Sequence, residues 1–375
     1  MKKYITLLLL VLLMLSLCAC SAPTKPADEK PEVNETANQE EGGTRILKDC
    51  KGREIALPNE VKSIVCCGVG ALRYTCYMQG YDLVAGVEDY EKEQSLSRLY
   101  NYVNFDKFKD LPVIGKNGEP FIEEIVKVSP DVIVMTAFVK MDPDELQSKT
   151  GIPVFVVPGS DSALDEGAYE TFKLMGELYN KQDRAEELTN YLKSFKEDLD
   201  KRTKDIKEEE KPTVYVGGVS FKGRHGFEGT EANYGPLALI NARNLADETD
   251  QKGPFNIDVE KVLEWDPDII FIDFGGLSLI AEDYKTNADY YNSLKAVKEG
   301  DVYSQIAFRS CASNLDTALA DAVYAATIIY PEQFKDIDPI EKTGEIFEML
   351  LGTNPYIDLK NKGFEFRPIV LSEEK

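Results

Sequence analysis

The chain has 375 residues, enough for two domains of ordinary size, with 66 acidic against 43 basic side chains and a formal net charge of −23. So acidic a surface disfavours nucleic acid and anionic lipid headgroups as partners. A single histidine and seven cysteines without a C-x-x-C spacing exclude a zinc ribbon and give no obvious disulfide framework.

Lys2 and Lys3 precede an apolar run from Leu7 to Leu17. The run is shorter than the ~20 residues a spanning helix needs and ends at small residues, so it reads as a secretion signal. Leu17-Cys18-Ala19-Cys20 resembles the bacterial lipobox. That resemblance implies that residues 1–19 are removed and that Cys20 carries a lipid anchor. Residues 20–44, rich in Pro, Glu, Asn, Thr and Ala without apolar periodicity, read as a disordered tether.

Residues 45–163 read as a first α/β lobe. Alternating apolar residues flank Asp49-Cys50-Lys51-Gly52, which predicts a hairpin. A strand over residues 61–67, the turn Gly68-Val69-Gly70, a helix from Ala71 to Gln79 and a strand over residues 83–87 form a βαβ unit. Gly68 and Gly70 invite comparison with a dinucleotide fingerprint, but Arg73 stands where the third glycine belongs. The turn places Arg73 and Tyr74 near the carboxyl end of a parallel strand, where open α/β sheets bind ligands. A helix before Pro130-Asp131, a strand from Val132 to Met135 and another from Ile152 to Val157 complete the lobe. Cys66 and Cys67 end an apolar strand and read as small buried residues; a disulfide among Cys50, Cys66, Cys67, Cys76 and Cys311 stays open, with no pair chosen.

Residues 164–210 read as a helical connector. From Asn180 to about Glu210 there is no Pro or Gly, and Ala185, Leu188, Leu192, Phe195 and Leu199 recur every three or four residues. Asn180 reads as the N-cap of one long strut.

Residues 211–351 repeat the plan of the first lobe, and 352–375 form a C-terminal tail. Thr213–Gly218 is a strand with a glycine exit, and Tyr234–Ala242 is helical. Glu260 lies seven residues before Pro267, as Glu123 lies seven before Pro130. Each glutamate opens an apolar-periodic turn that runs into Pro-Asp and a strand, which argues for duplicated α/β lobes. Asn314–Ile329 and Pro339–Leu351 read as closing helices.

The segment DCKGREIALPNEVKSIV, the two Glu…Pro-Asp blocks, the intervening helix and the lipobox together resemble bacterial substrate-binding proteins of ABC importers. The resemblance is to the class that binds iron–siderophore complexes, heme or cobalamin. It covers nearly all of residues 45–350 and implies two Rossmann-like α/β lobes with central parallel sheets, joined by one long α-helix, with a ligand cleft between them. It implies that Glu123 and Glu260 dock on arginines of a membrane permease, which works with its ATPase. The alternative for each is a first-turn acid favoured by the helix dipole.

Cleft-facing candidates are Arg73 and Tyr74, then Arg224 and His225 in the loop Phe221–Glu228, then Arg309. Three arginines suit the carboxylates, catecholates or phosphates of an anionic chelate. Tyr90, Tyr234 and Tyr303 are candidates to stack on or ligate it. One histidine argues against a zinc- or manganese-binding relative, and no residue set reads as a metal site of the protein's own. Without a G-x-S-x-G, an enzyme on this fold is the weaker reading. The expected protein is a monomeric, lipid-anchored, extracytoplasmic receptor. It carries an iron(III) chelate, or else heme or a corrinoid, and has no cofactor of its own.

Overall fold

The computed structural model describes residues 43–116, 118–160 and 162–374. The secretion signal, Cys20 and the tether up to residue 42 lie outside the described residues.

Strands β1 (Thr44–Lys48) and β2 (Glu54–Pro58) form the expected hairpin, in register from Thr44↔Pro58 to Lys48↔Glu54. Its turn is built by Asp49, whose Oδ1 accepts the N–H groups of Lys51 and Arg53, both at 3.0 Å. Next come β3 (Ile64–Cys67), α1 (Ala71–Tyr77), β4 (Val84–Glu88), α2 (Leu99–Phe108), β5 (Val113–Lys116) and β6 (Glu119–Pro120). Then follow α3 (Ile122–Val128), β7 (Val132–Thr136), α4 (Pro143–Thr150) and β8 (Val154–Val157). The sheet runs β6-β5-β4-β3-β7-β8 and is parallel except for the short β6. All residues of β3, β7 and β8 are buried, as continuous apolar strands covered on both faces require.

The connector is two helices, not one from Asn180 onward. Helix α5 (Glu166–Tyr179) ends at Asn180, which adopts the left-handed conformation with φ 54°. Asn180 therefore closes the preceding helix rather than capping the next, a role its short amide side chain tolerates. Helix α6 (Gln182–Thr203) is 22 residues, about 33 Å at ~1.5 Å per residue. The face made by Ala185, Leu188, Leu192, Phe195 and Leu199 is buried, as its spacing predicts. Arg184 pins α6 to lobe one by donating to the Tyr77 carbonyl at 3.1 and 3.2 Å.

The second lobe contains β9 (Thr213–Gly217), β10 (Gly229–Ala232), α7 (Gly235–Leu239), β11 (Arg243–Asn244) and β12 (Gly253–Asn256). It continues with α8 (Val259–Trp265), β13 (Ile269–Asp273), α9 (Phe274–Tyr291), α10 (Lys295–Glu299) and β14 (Val302–Gln305). Helices α11 (Leu315–Ile329), α12 (Pro339–Leu351) and α13 (Tyr356–Asn361) follow. Its parallel sheet has the order β11-β9-β13-β14, with β10 and β12 forming a separate antiparallel ribbon.

The two lobes share one apolar core. Ile64, Val132, Leu188, Val214 and Leu319 belong to a single contiguous cluster that passes through α6. Residues beyond α12 fold back on lobe two. Ile369 donates to the Val302 carbonyl at 2.8 Å and Ser304 to the Arg367 carbonyl at 3.0 Å, extending the sheet past β14.

Candidate ligand-binding site

The carboxyl ends of the second lobe's parallel strands line an open cavity of about 920 Å³. Lobe one contributes Leu96 and Ser97. The exits of β9 and β13 contribute Ser220, Arg224, Phe274, Leu277 and Ser278, and the exit of β14 contributes Ile306, Ala307, Arg309 and Ser310. The far wall comes from the C-terminal segment, through Leu359, Lys362, Phe364, Arg367 and Glu374. The lining combines apolar side chains with the cations Arg224, Arg309, Lys362 and Arg367 and the carboxylates Glu373 and Glu374, as suits an organic ligand that carries charge.

Of the cleft-facing candidates, Arg224 and Arg309 line this cavity. Arg224 is exposed; its Nε donates to the Gly275 carbonyl at 2.8 Å and its Nη2 to Ser278 Oγ, so its charge meets only neutral acceptors there. Arg309 Nε donates to Glu231 at 3.0 Å, a carboxylate 2% exposed, and Nη2 donates to the same group. Its Nη1 reaches Ser313 Oγ at 3.3 Å. Arg309 is thus held in a fixed orientation at the cavity edge.

Arg73 stands behind the site. It is 1% exposed and crosses between the lobes, donating to the carbonyls of Ser313 (2.8 Å), Ser310 (2.9 Å) and Cys311. Its three acceptors belong to the loop that presents Arg309 and Ser310. Arg73 therefore braces a loop that lines the cavity and does not line it itself.

The remaining candidates are placed elsewhere. Tyr74 is buried in an aromatic cluster, its ring 5.3 Å from that of Phe172. Tyr234 is fully buried and donates its hydroxyl to Gln305 Oε1 at 2.6 Å. Tyr74 faces the core because α1 presents that position inward, and Tyr234 does so as the residue that caps the start of α7. Tyr90 is half-buried under the Arg98 guanidinium, 5.5 Å from its ring centre. His225 stacks on Phe221 at 4.0 Å and bonds the Phe221 carbonyl through Nε2 at 2.9 Å, which commits its ring locally. Tyr303 lies at the amino end of β14, where its hydroxyl meets Asp301 at 3.1 Å, at the opposite end of the strand from the cavity.

Sequence reasoning missed two parts of the site. Phe274-Gly275-Gly276 directly follows a recognised strand, and the carboxyl-end rule was signal enough to find it. The C-terminal wall carried no such signal.

Beneath the floor lie two buried carboxyls. Asp273 Oδ1 accepts the Gly275 N–H at 2.6 Å, and Asp321 Oδ1 accepts the Ile306 N–H at 2.8 Å. Burial, with Glu231 adding negative charge nearby, pushes Asp273 up to about 7. Burial and Asp273 raise Asp321 well above the usual carboxylate range. Among the described residues, the Oδ2 atom of each has no hydrogen-bond partner.

The five described cysteines are free thiols, and burial lifts Cys66 to about 12. Among the described residues no group of three or more His, Cys, Asp or Glu is placed to hold a metal ion, and no helix is long and apolar enough to cross a membrane.

The family described as "Periplasmic binding protein" matches residues 84–305. The molybdate-binding protein MolA of Haemophilus influenzae is 21% identical over 332 residues, which is 83% of this chain and 92% of that one. The high-affinity heme uptake system protein IsdE of Staphylococcus aureus is 23% identical over 238 residues, 62% of this chain and 77% of its own. A periplasmic solute binding protein from Veillonella parvula superposes with a TM-score of 0.67 at 18% identity, covering 83% of this chain and 94% of that one.

Proposed function

The chain belongs to the periplasmic binding protein family, as a substrate-binding protein of the ABC-importer class, and on that footing we propose that its cargo is an iron(III) chelate. The observation that carries this reading is the cavity. Its volume, about 920 Å³, is at the upper end of the roughly 300–1,000 Å³ of organic-ligand pockets. A lone tetrahedral oxyanion, the ligand in MolA's name, would fill a small part of it. Among its described lining residues there is no histidine, cysteine, methionine or tyrosine, and the two carboxylates there are the adjacent Glu373 and Glu374, the latter paired with Arg367. Two neighbouring carboxylates are too few to hold iron alone, so iron entering here needs further donors, and a chelate supplies them. Arg224, Arg309 and Lys362 then meet the chelate's negative charge.

Heme is the second reading. The edge-to-face pair of Phe274 and Phe364, with ring centres 5.3 Å apart, favours a flat apolar ligand.

In this reading Cys20 anchors the mature protein to the outer face of the cell membrane, and Glu123 and Glu260 meet the permease that acts with its ATPase. Both glutamates are exposed and occupy the second position of a seven-residue helix, α3 or α8. Titration of protein fluorescence with ferric siderophores, hemin, cobalamin and molybdate tests the proposal. Saturable quenching by a ferric siderophore, weaker without iron, is expected. A response to molybdate alone would overturn it.

A further inference from the structure

The cationic side chains of the C-terminal segment divide into two kinds. Lys360 pairs with Glu365 at 3.2 Å, and Arg367 pairs with Glu374 through two bonds of 2.6 and 2.9 Å. Lys362 lines the cavity and makes no ion pair or side-chain hydrogen bond among the described residues, although it sits between these neutralised neighbours in sequence. The turn that carries it is held from both sides. Leu359 is 1% exposed, and Phe366 stacks on Tyr324 with ring centres 4.4 Å apart. Between those anchors Gly363 adopts φ 81°, a left-handed conformation, and Phe364 donates to the Leu359 carbonyl at 2.9 Å. The turn is thus built, and it delivers an unpaired ammonium and an aromatic ring to the same wall.

We infer that the turn Lys362–Phe364 is part of the ligand site and selects an aromatic anion. Lys362 and Arg224 meet the negative charge, while Phe364 and Phe274 present ring edges and faces to the apolar part. A catecholate chelate, whose aromatic rings carry the anionic oxygens, has this chemistry. The inference rests on the cavity being the cargo site, and it adds that residues beyond the two-lobe repeat determine which cargo fits. An unpaired ammonium on the rim gains a charge-assisted bond on binding without breaking an existing pair.

Two probes separate this inference from the proposed function. The first is 8-anilinonaphthalene-1-sulfonate, an aromatic anion that reports on the cavity whatever the physiological cargo. Its enhanced fluorescence should be saturable with the wild-type protein and weaken by roughly five- to tenfold in affinity in Lys362→Gln, with most of the loss restored in Lys362→Arg. The second is a set of ferric siderophores of different net charge. Anionic complexes should lose affinity in Lys362→Gln, and their binding should become less sensitive to salt, while neutral complexes should be unaffected. Lys362 is exposed, so Lys362→Gln should melt at the wild-type temperature; Phe364→Leu tests the ring separately. No saturable dye binding, or equal binding of dye and anionic chelates by wild type and Lys362→Gln, overturns the inference. Dye binding that depends on Lys362, with no response to any ferric complex, upholds the turn as an anion site and overturns the iron-chelate reading.

Discussion

Arg73, on the first helix of lobe one, donates from Nη1 to the carbonyl oxygen of Ser313, on the far lobe, at 2.8 Å. The same guanidinium collects the carbonyls of Ser310 and Cys311. Cys311 and Ala312 between them adopt φ values of 53° and 66°. Two successive non-glycine residues in the left-handed region cost roughly 1–2 kcal/mol each, and the buried cation supplies the compensating interaction. Beside it Asp316 is pushed up to about 6 by burial, against the opposing pull of Arg73. Arg73→Met should therefore destabilise the protein by about 2–4 kcal/mol in urea, because buried carbonyls lose their donor. Amide exchange should accelerate in residues 309–313. A loss below about 0.5 kcal/mol would mean that water replaces the guanidinium.

Asp273 gives the pH dependence. Its folded value is raised to about 7, above the ~3.9 of an unfolded chain. The native state thus binds the proton more tightly. Its stabilising contribution is complete below about pH 4 and is lost as the pH rises toward 7. Asp321 is shifted the same way and reinforces the slope. Asp273→Asn keeps an acceptor for the Gly275 N–H and cannot ionise. It should flatten the stability profile between about pH 4 and 7 and add about 1–3 kcal/mol at pH 8. Denaturation midpoints measured across that range check it, and an unchanged slope would assign the dependence to other groups.

The repeat around Pro130 and Pro267 was legible in the sequence because each copy is local: a helical turn, a Pro-Asp break and an apolar strand follow one another without a long-range partner. The buried face of α6 was legible for the same reason. Its ends were not. Asn180 carries equal local signal for starting and stopping a helix, and only packing against Arg45, whose Nη1 bonds Asn180 Oδ1 at 2.5 Å, decides between them. The site was half legible. The carboxyl-end rule found the loops of Arg224 and Arg309, but it could not tell a residue facing the cavity from one facing the core. Tyr74 and Arg73 are sequence neighbours, and both are turned away from solvent. The wall at Lys362 and Phe364 was invisible because its position depends on the return of the C-terminal segment to β14.

Gly276 tests how tightly the cavity floor is built. A Cβ placed on it would lie 2.5 Å from the His225 carbonyl oxygen and 2.6 Å from that of Gly218, both backbone atoms. Gly218 itself adopts φ 81°. Neither oxygen can swing aside as a side chain would, so the start of α9 would have to move. Gly276→Ala should cost about 1–3 kcal/mol and weaken binding at the neighbouring Arg224 and Phe274. Wild-type stability and affinity in this variant would show that the floor yields.

Glu123 and Glu260 are matched in more than sequence. Their helices end in left-handed residues, Ser129 at φ 50° and Asp266 at φ 43°, and one turn beyond each glutamate an apolar side chain is exposed, Val126 at 47% and Leu263 at 39%. A duplicated acid with a duplicated apolar neighbour suits a partner that meets the two lobes in equivalent ways. Charge reversal at either site should leave ligand affinity within about twofold of wild type, since neither residue lines the cavity. Stimulation of the transporter's ATPase in proteoliposomes should fall by roughly tenfold for Glu123→Lys or Glu260→Lys and further for the pair, with the deficit narrowing as salt screens the added charge. Unimpaired stimulation by the double variant would leave the acids only as first-turn partners of their helix dipoles.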